Sequence, residues 1–322
     1  MSAPELSPAD LLAAHRRMLE IREFEDEVQR LFLQNVVRGS THLYQGQEAV
    51  AVGACSALRE GDTMTCTYRG HGAVLAMGAP ADRSLAEILG KADGLCGGKG
   101  GSMHLTDVSR GILGSFAIVG ANLAVTCGAA LSATYRRTDA ISLAFFGDGA
   151  TNIGTFHEAL NLAAIWRLPA VFVCENNLYG EYSPIASTTP IERLADRATS
   201  YGMASSQVDG NDVLAMREVV WEAAERGRAG EGPMLIEALT YRQRGHSRTD
   251  PAAYRPDGEL ERWLERDPIL LFERALVERG VATPNELATV RTEVEREIKR
   301  ISDEVRAWPD PRPEARFEDV LV

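Results

Sequence analysis

The stretch that decides the fold is AISLAFFGDGATNIGTFHEALNLAAIWRLPAVFVCENNLYGEY, residues 140–182. It opens with an apolar run at 141–146 that has the length and composition of a buried strand. A segment with apolar residues at helical spacing follows at 155–166, and Pro169 ends that helix. A second apolar run occupies 170–174. The order strand, helix, strand predicts a right-handed βαβ unit whose two parallel strands are both buried.

Two polar residues follow these strands directly. Asp148 comes after the first strand and Asn177 after the second. Because the carboxyl ends of parallel strands meet at one edge of a sheet, we expect these two side chains to lie close together. A carboxylate and an amide oxygen are ligands that Mg²⁺ accepts, with phosphate oxygens supplying much of the remaining shell. Gly149 would let a phosphate approach the backbone, and amides near the helix start can bind an anion.

The spacing of these residues is itself informative. Gly147-Asp148-Gly149, then 26 residues at 150–175, then Asn176-Asn177 resembles the thiamine-diphosphate motif. Gly-Asp-Gly alone is a weak signal, whereas the complete pattern inside a βαβ unit is specific. The alternative interpretation is two ordinary turns that flank a helix.

Composition excludes several classes of protein. The chain has 322 residues and a net charge of −12, which argues against a nucleic-acid-binding protein. Five cysteines are scattered without a Cys-x-x-Cys pair, so neither a disulfide framework nor a zinc site is expected. We see no signal peptide and no apolar run long enough to span a membrane, and we therefore expect a cytoplasmic protein that does not contact membranes.

Three segments are expected along the chain. Residues 1–38 form an N-terminal helical arm, in which Ser7-Pro8 is typical of a helix start. An α/β domain with a mostly parallel sheet and helices on both faces occupies 39–256. Residues 257–322 form a C-terminal helical extension, where Thr283-Pro284 and Glu286 have the spacing of a capping box.

Several loops carry candidate functional residues. His42 lies in a polar loop and is a candidate for holding a ligand, although a lone loop histidine is more often a surface residue. Tyr68 and Arg69 lie in a loop rich in hydrogen-bond donors, and an arginine can bind a diphosphate through two parallel hydrogen bonds. The glycine-rich run at 90–104 is too long for a plain turn, which favours a functional loop.

A further loop, 242–251, follows a strand predicted at 233–241. It contains three arginines and His246, which is a candidate for acid–base chemistry or substrate contact. An exposed basic turn is the alternative. Elsewhere, we expect a loop at 183–189, a helix at 190–201 and helical spacing throughout 260–279.

Together, these stretches resemble the alpha subunit of thiamine-diphosphate-dependent 2-oxo acid dehydrogenases, including the similar acetoin dehydrogenases. The resemblance covers about 10–268. It rests on six motifs in one order: HLYQGQEA (42–49), TYRGHG (67–72), GKGGSMH (98–104), IVG (118–120), GDG with NN, and RQRGHSRTDP (242–251). The implied fold is the thiamine-diphosphate-binding fold, in its diphosphate-type domain.

The resemblance also implies roles for individual residues. The implied Mg²⁺ ligands are Asp148, Asn177 and the carbonyl of Tyr179. The implied cofactor contacts are Tyr68 and Arg69 with the backbone of Gly149 and Ala150 at the diphosphate, His246, and the backbone near Ala117 and Val119 at the aminopyrimidine. His42 and His246 match histidines that face the substrate.

Thiamine catalysis needs a carboxylate beside the aminopyrimidine, and in this family a separate beta subunit supplies that glutamate. The chain is too short to add a second α/β domain of similar size. We therefore expect a beta-subunit partner in an α₂β₂ heterotetramer. The expected reaction cleaves acetoin or decarboxylates a 2-oxo acid such as pyruvate, and the fragment passes reductively to the lipoyl group of an acyltransferase component.

Substrate choice stays open between acetoin and pyruvate, with branched 2-oxo acids less favoured. Glu181 stands where pyruvate-type members often carry an apolar residue, and Ala117 where they often carry glycine. The GEYSP run at 180–184 is more similar to the acetoin type. The alternatives are a non-oxidative lyase or transketolase-like enzyme, against which the 242–251 loop argues, and a regulatory subunit without catalysis.

Overall fold

Six parallel strands form the central sheet of the computed structural model, which describes residues 2–319. The strands of the chain are β1 (Thr63–Thr67), β2 (Ile112–Phe116), β3 (Ser142–Gly147), β4 (Ala170–Asn176), β5 (Tyr179–Gly180), β6 (Ser183–Pro184), β7 (Ala204–Asp209) and β8 (Met234–Leu239). The order in the sheet is β2-β1-β3-β4-β8-β7, while β5 and β6 form a small antiparallel hairpin outside it.

Helices cover both faces of this sheet, as the sequence predicted. The α-helices are α1 (Pro8–Leu33), α2 (Glu48–Ser56), α3 (His71–Ala76), α4 (Ala81–Ile88), α5 (Ala121–Arg136), α6 (Gly154–Ile165), α7 (Ile185–Thr188), α8 (Val213–Arg228), α9 (Glu259–Leu264), α10 (Pro268–Glu278) and α11 (Pro284–Arg306). Short 3₁₀ helices lie at Gly101–Met103, Val108–Arg110, Asp148–Asn152, Leu194–Tyr201 and Pro313–Phe317.

The predicted βαβ unit is confirmed. β3 and β4 are adjacent and parallel, and α6 connects them. Alternate side chains of β3 enter opposite cores: Leu143 and Phe145 join the core beneath α1, α2 and α8, whereas Ala144 and Phe146 join the core beneath α5 and α6. A strand buried on both faces explains why its sequence is continuously apolar rather than alternating.

The N-terminal and C-terminal helices contribute to the first of these cores. α1 starts with the predicted Ser7 cap, and α11 starts with the predicted capping box of Thr283 and Glu286. Met18 of α1 and Ile298 of α11 are buried in the same cluster as the strand residues. The segment boundaries 1–38, 39–256 and 257–322 stay a prediction, and residues 1 and 320–322 lie outside the described part of the chain.

Two local predictions were wrong. The expected loop at 183–189 contains β6 and α7, because the amide of Ile185 donates to the Leu178 carbonyl and closes the segment. The expected helix at 190–201 is a 3₁₀ helix from Leu194, where the Ala195 amide donates to the Glu237 carboxylate.

The helical spacing predicted at 260–279 is confirmed, and the segment forms two helices, α9 and α10. Asp267 caps the amides of Ile269 and Leu270, and Pro268 takes the first helical position, so a new helix begins there.

Within residues 2–319, the structure contains no helix with the length and apolar character needed to cross a membrane.

Candidate active site

Polar residues that follow four strands of the sheet lie at one edge. The parallel register pairs Gly147 of β3 with Glu175 of β4, and Asn176 of β4 with Leu239 of β8. The residues that follow these strand ends therefore lie side by side. This arrangement places Asp148 and Asn177 at one cleft, as expected from their positions after parallel strands.

The cleft at this edge has a volume of about 390 Å³. Its lining includes nine of the predicted site residues: Tyr68, Arg69, Val119, Asp148, Gly149, Ala150, Asn177, Tyr179 and His246. Two predicted residues do not line it. Ala117 is half-buried beside Val119, and His42 is buried behind the cleft wall.

Asp148 carries the most unusual carboxylate of the cleft. Its side chain is buried, and within residues 2–319 its Oδ2 atom has no hydrogen-bond partner. Burial raises the pKa of Asp148 to about 6, against the effects of its own backbone amide and the Arg242 charge. A buried carboxylate oxygen without a partner is costly, which indicates that a ligand belongs beside it.

A buried network that the sequence analysis missed orients Asn177. The Asn177 amide nitrogen donates to Oε1 of Gln47 at 2.9 Å, and the Gln47 amide nitrogen donates to Glu175 at 3.3 Å. Glu175 also accepts a hydrogen bond from the Tyr44 hydroxyl. Burial raises the pKa of Glu175 to about 7, and the Tyr44 hydrogen bond opposes that rise. With its nitrogen held by Gln47, the Asn177 amide has its oxygen on the opposite side, where the Tyr179 amide donates to it at 3.4 Å.

Two buried arginines supply the positive charge of the cleft. Arg69 donates to the carbonyls of Leu43 and His246, and Arg242 donates to the carbonyl of Glu181 and the hydroxyl of Tyr254. In the part of the chain that the structure describes, neither arginine forms a salt bridge with a carboxylate. Burial and the Arg242 charge lower the pKa of Arg69 to about 10. Two cations without anionic partners favour an anionic ligand.

Arg242 was not singled out by the sequence analysis, although its position gave a usable signal. It follows β8 at the same edge of the sheet, as Asp148 follows β3. The same reasoning from parallel strand ends would have selected it.

The histidine candidates form one aromatic cluster with Tyr68. The His42 ring lies 4.4 Å from the Tyr68 ring and 5.0 Å from the His246 ring, measured between centroids. Burial and the charge of Arg69 lower the pKa of His42 to about 3 and that of His246 to about 4. Both imidazoles are therefore neutral at pH 7. The His246 Nδ1 lies 3.4 Å from Arg242, which can only donate, so the proton of His246 resides on Nε2.

Gly149 packs against the backbone of the small hairpin. A Cβ atom at Gly149 would lie 3.2 Å from the Cα of Gly180, so the glycine permits close approach of two chain segments. The segment after Gly147 continues as a 3₁₀ turn, and α6 starts only at Gly154. The amides nearest to Asp148 thus belong to the turn rather than to the helix.

The metal ligands that the sequence predicted include only one carboxylate. Among residues 2–319, no group of three or more His, Cys, Asp or Glu side chains is arranged to hold a metal ion. The three predicted ligands would supply half of an octahedral shell, so a phosphate-bearing ligand would have to supply the other half.

The chain is similar to known proteins over almost its whole length. The family model of the dehydrogenase E1 component matches residues 16–314. The alpha subunit of acetoin:2,6-dichlorophenolindophenol oxidoreductase from Bacillus subtilis is 46% identical over 318 residues, covering 98% of this chain and 95% of the relative.

Two further relatives show the same extent of similarity. The pyruvate dehydrogenase E1 component subunit alpha of Rhizobium meliloti is 40% identical over 319 residues, covering 99% of this chain and 92% of the relative. The acetoin oxidoreductase alpha subunit of Cupriavidus necator is 41% identical over 322 residues, covering 100% and 97% respectively. The chain therefore belongs to the dehydrogenase E1 component family.

Proposed function

We propose that this chain is the alpha subunit of a thiamine-diphosphate-dependent dehydrogenase that cleaves acetoin or oxidatively decarboxylates pyruvate. The acyl fragment passes to a lipoyl carrier, whose disulfide is reduced. Membership of the family implies the use of thiamine diphosphate. Two observations within residues 2–319 carry the proposal: the buried Oδ2 of Asp148 has no hydrogen-bond partner, and two arginines of the same cleft have no carboxylate partner.

The residues of the cleft fit a metal-bound diphosphate. Asp148, the amide oxygen of Asn177 and the carbonyl of Tyr179 would hold Mg²⁺. The remaining predicted cofactor contacts are Tyr68, Arg69, His246, the backbone of Gly149 and Ala150 at the diphosphate, and the backbone near Ala117 and Val119 at the aminopyrimidine. Arg242, which the structure adds to this set, would neutralise further negative charge.

When bound, thiamine diphosphate supplies the electron sink for breaking a carbon–carbon bond beside a carbonyl. The chain's own residues would position the substrate and form hydrogen bonds with it. His246 carries its proton on Nε2 and would donate it as a hydrogen bond to a substrate oxygen, while Arg242 fixes its ring from the other side. His42, which the resemblance also placed at the substrate, packs against His246 from behind the cleft wall and would hold that ring in place.

A second chain is part of the proposal. A beta subunit would supply the catalytic glutamate in an α₂β₂ heterotetramer, and a lipoyl-bearing acyltransferase component would receive the fragment. Large apolar side chains exposed on and beside α5 and α6 support a protein contact there. They are Ile118, Val125, Leu131, Tyr135, Ile165 and Trp166.

A substrate panel tests the proposal. The chain would be co-expressed with its beta subunit and loaded with Mg²⁺ and thiamine diphosphate. Reduction of an artificial electron acceptor would then be followed with acetoin, pyruvate and branched 2-oxo acids. We expect turnover with acetoin or pyruvate. Bound cofactor without acceptor reduction by any of these substrates would contradict the proposal and favour a non-oxidative transfer enzyme.

A further inference from the structure

We propose that Arg255 and Glu259 are positioning residues for the metal-binding side of the cleft. Both lie after the 242–251 loop and outside the cleft lining, and Glu259 begins α9. The inference rests on the proposed function, because it concerns how the chain holds the carbonyl of Tyr179, one of the proposed Mg²⁺ ligands. It starts from two tyrosines that share one carboxylate oxygen.

Glu259 connects two separate parts of the site. Its Oε1 atom accepts a hydrogen bond from the hydroxyl of Tyr179 at 2.8 Å and another from the hydroxyl of Tyr241 at 2.8 Å. Both tyrosines are buried, and burial together with the Glu259 hydrogen bond raises the pKa of each, that of Tyr179 to about 12. Both hydroxyls therefore keep their protons at pH 7 and donate. Trp263 of α9 stacks on the Tyr241 ring at 5.3 Å between centroids.

Tyr179 is where this anchor reaches the proposed metal site. It lies two residues after Asn177, and its amide donates to the Asn177 side-chain oxygen at 3.4 Å. Leu178, between them, is in the left-handed region with φ of +74°, a conformation that a residue with a Cβ adopts at a cost. Such a turn persists only where its surroundings hold it, and the hydrogen bond from Tyr179 to Glu259 is one of the contacts that do so. Loss of that contact would let the Tyr179 carbonyl move.

Arg255 holds the other part of the site, which is the start of the 242–251 loop. Its guanidinium donates to three successive backbone carbonyls, at 242–244. The same group lies over the ring of Tyr241 at 4.9 Å and over the ring of Tyr179 at 5.9 Å, measured to the centroids. A planar guanidinium can donate to several acceptors and contact an aromatic face at once, which an ammonium group cannot do in the same way. The loop start and both tyrosines therefore form one unit.

This unit couples the metal-binding turn to the loop, and coupling between two sites acts in both directions. Loss of the Glu259 acceptor should weaken Mg²⁺ binding and loosen the loop. Loss of the forked Arg255 contacts should loosen the loop more than it weakens Mg²⁺ binding. A contact that served stability alone would leave the affinity of the folded protein for Mg²⁺ unchanged.

The first test is a calorimetric Mg²⁺ titration of the assembled enzyme at saturating thiamine diphosphate, for the wild type and Glu259→Met. Methionine has a similar length and lacks the acceptor oxygens. We expect the Mg²⁺ concentration for half-saturation to rise about tenfold, as is typical when a contact that supports a metal ligand is removed. Glu261→Met, at an exposed position of the same helix, is the matched control and should leave this concentration unchanged.

Tyr179→Phe keeps the ring and removes only the hydroxyl, so it tests positioning even where Glu259→Met does not assemble. It should raise the Mg²⁺ concentration for half-saturation by about the same factor. The two substitutions together should add less than about twofold to either alone, because both break the same hydrogen bond. Fully additive effects would show that Glu259 does not act through Tyr179.

Trypsin cleavage after Arg244 and Arg248 measures the order of the loop in the cofactor-loaded enzyme. Arg255→Lys keeps the charge but loses the forked donors, and it should speed this cleavage about tenfold, the effect of losing one charged hydrogen bond. The Mg²⁺ affinity should fall less than it does in Glu259→Met. Arg262→Lys, an exposed position of α9, is the matched control and should leave the cleavage rate unchanged.

The outcomes separate the inference from the proposed function. Normal Mg²⁺ affinity in Glu259→Met, fully additive effects with Tyr179→Phe, or an unchanged cleavage rate in Arg255→Lys overturns the inference alone. An assembled wild type that does not bind thiamine diphosphate in the presence of Mg²⁺ overturns the proposed function and the inference with it.

Discussion

The orientation of a single amide matters most at the proposed metal site. Asn177 can offer its oxygen to a cation only if its nitrogen faces away from it, and Gln47 accepts that nitrogen at 2.9 Å. Gln47 is itself oriented by Glu175, which the Tyr44 hydroxyl holds in place. Such supporting hydrogen bonds typically contribute about 10- to 100-fold to metal affinity.

Replacing Gln47 with leucine should therefore weaken Mg²⁺ binding by at least about tenfold, because the Asn177 amide loses its fixed orientation. The measurement is a Mg²⁺ titration of the assembled enzyme in the presence of thiamine diphosphate. Gln45→Leu is the matched control: Gln45 is buried in the same loop but donates to Asp26 instead of binding Asn177. Equal Mg²⁺ affinity in both variants would contradict this account of Gln47.

The two neutral histidines make stability depend on pH. His42 and His246 have pKa values of about 3 and about 4 in the folded chain, below the ordinary value of 6.5. As pH falls from 6.5 towards 4, the unfolded chain binds protons that the folded chain does not, so stability falls over that window. The contribution of the two neutral histidines to stability is fully present above pH 6.5.

The double variant His42→Gln, His246→Gln should lose less stability than the wild type between pH 7 and pH 5. Thermal unfolding of both assembled proteins at the two pH values measures this difference. Parallel losses in the two proteins would show that these histidines do not titrate as described.

At the scale of elements, the part of the site that could be predicted from the sequence is the part that follows the ends of parallel strands. Asp148 and Asn177 directly follow apolar strands, so sequence and topology together place them at one edge. Gln47 could not be found in this way, because it lies on the loop before α2 and reaches the site only through tertiary packing. Glu175 follows the apolar run at 170–174, and the sequence gives no sign of its partner Tyr44.

The glycine-rich segment 90–104 likewise depends on a tertiary contact that the sequence does not reveal. Its composition excluded a regular helix or strand, and its function stays a prediction. The structure shows that it wraps around Glu87 of α4, whose carboxylate accepts amide hydrogens from Cys96, Gly98, Gly100 and Gly101. A buried glutamate several residues upstream thus orders a segment that has little apolar surface of its own.

Glu87→Gln should loosen this loop, because the amide group replaces one acceptor oxygen with a donor that faces other donors. We expect a loss of about 2 kcal/mol, typical of a charged hydrogen bond, in the local opening free energy. Hydrogen exchange of the amides at 96–101 should accelerate correspondingly, while Glu60→Gln, at an exposed turn, should leave it unchanged. Unchanged protection in Glu87→Gln would exclude this role.

At the scale of the whole molecule, the chain combines a polar cleft at the sheet edge with an apolar surface that faces solvent in the isolated chain. Tyr135 is 88% exposed and Ile165 is 65% exposed, on two helices that pack against each other. Surfaces of this kind are typical of protein contacts. The exposure of these large residues became visible only in the fold.

The isolated chain should consequently show no turnover with acetoin or pyruvate, even with Mg²⁺ and thiamine diphosphate added, because in the proposed function the beta subunit supplies the catalytic carboxylate. Titration with the separately purified beta subunit should restore activity to a plateau at a 1:1 ratio of chains. Turnover by the isolated chain would contradict the divided site.

The measurement that tests the central claim most directly is calorimetric titration of thiamine diphosphate into the assembled enzyme, with and without Mg²⁺, for the wild type and Asp148→Asn. The account predicts binding that requires Mg²⁺ in the wild type and is weakened by about 100-fold or more in Asp148→Asn, which keeps the shape but loses the anionic ligand. Equal affinity in the two proteins, or binding in the wild type that does not depend on Mg²⁺, would contradict the assignment of Asp148 and of the edge of the sheet on which it lies.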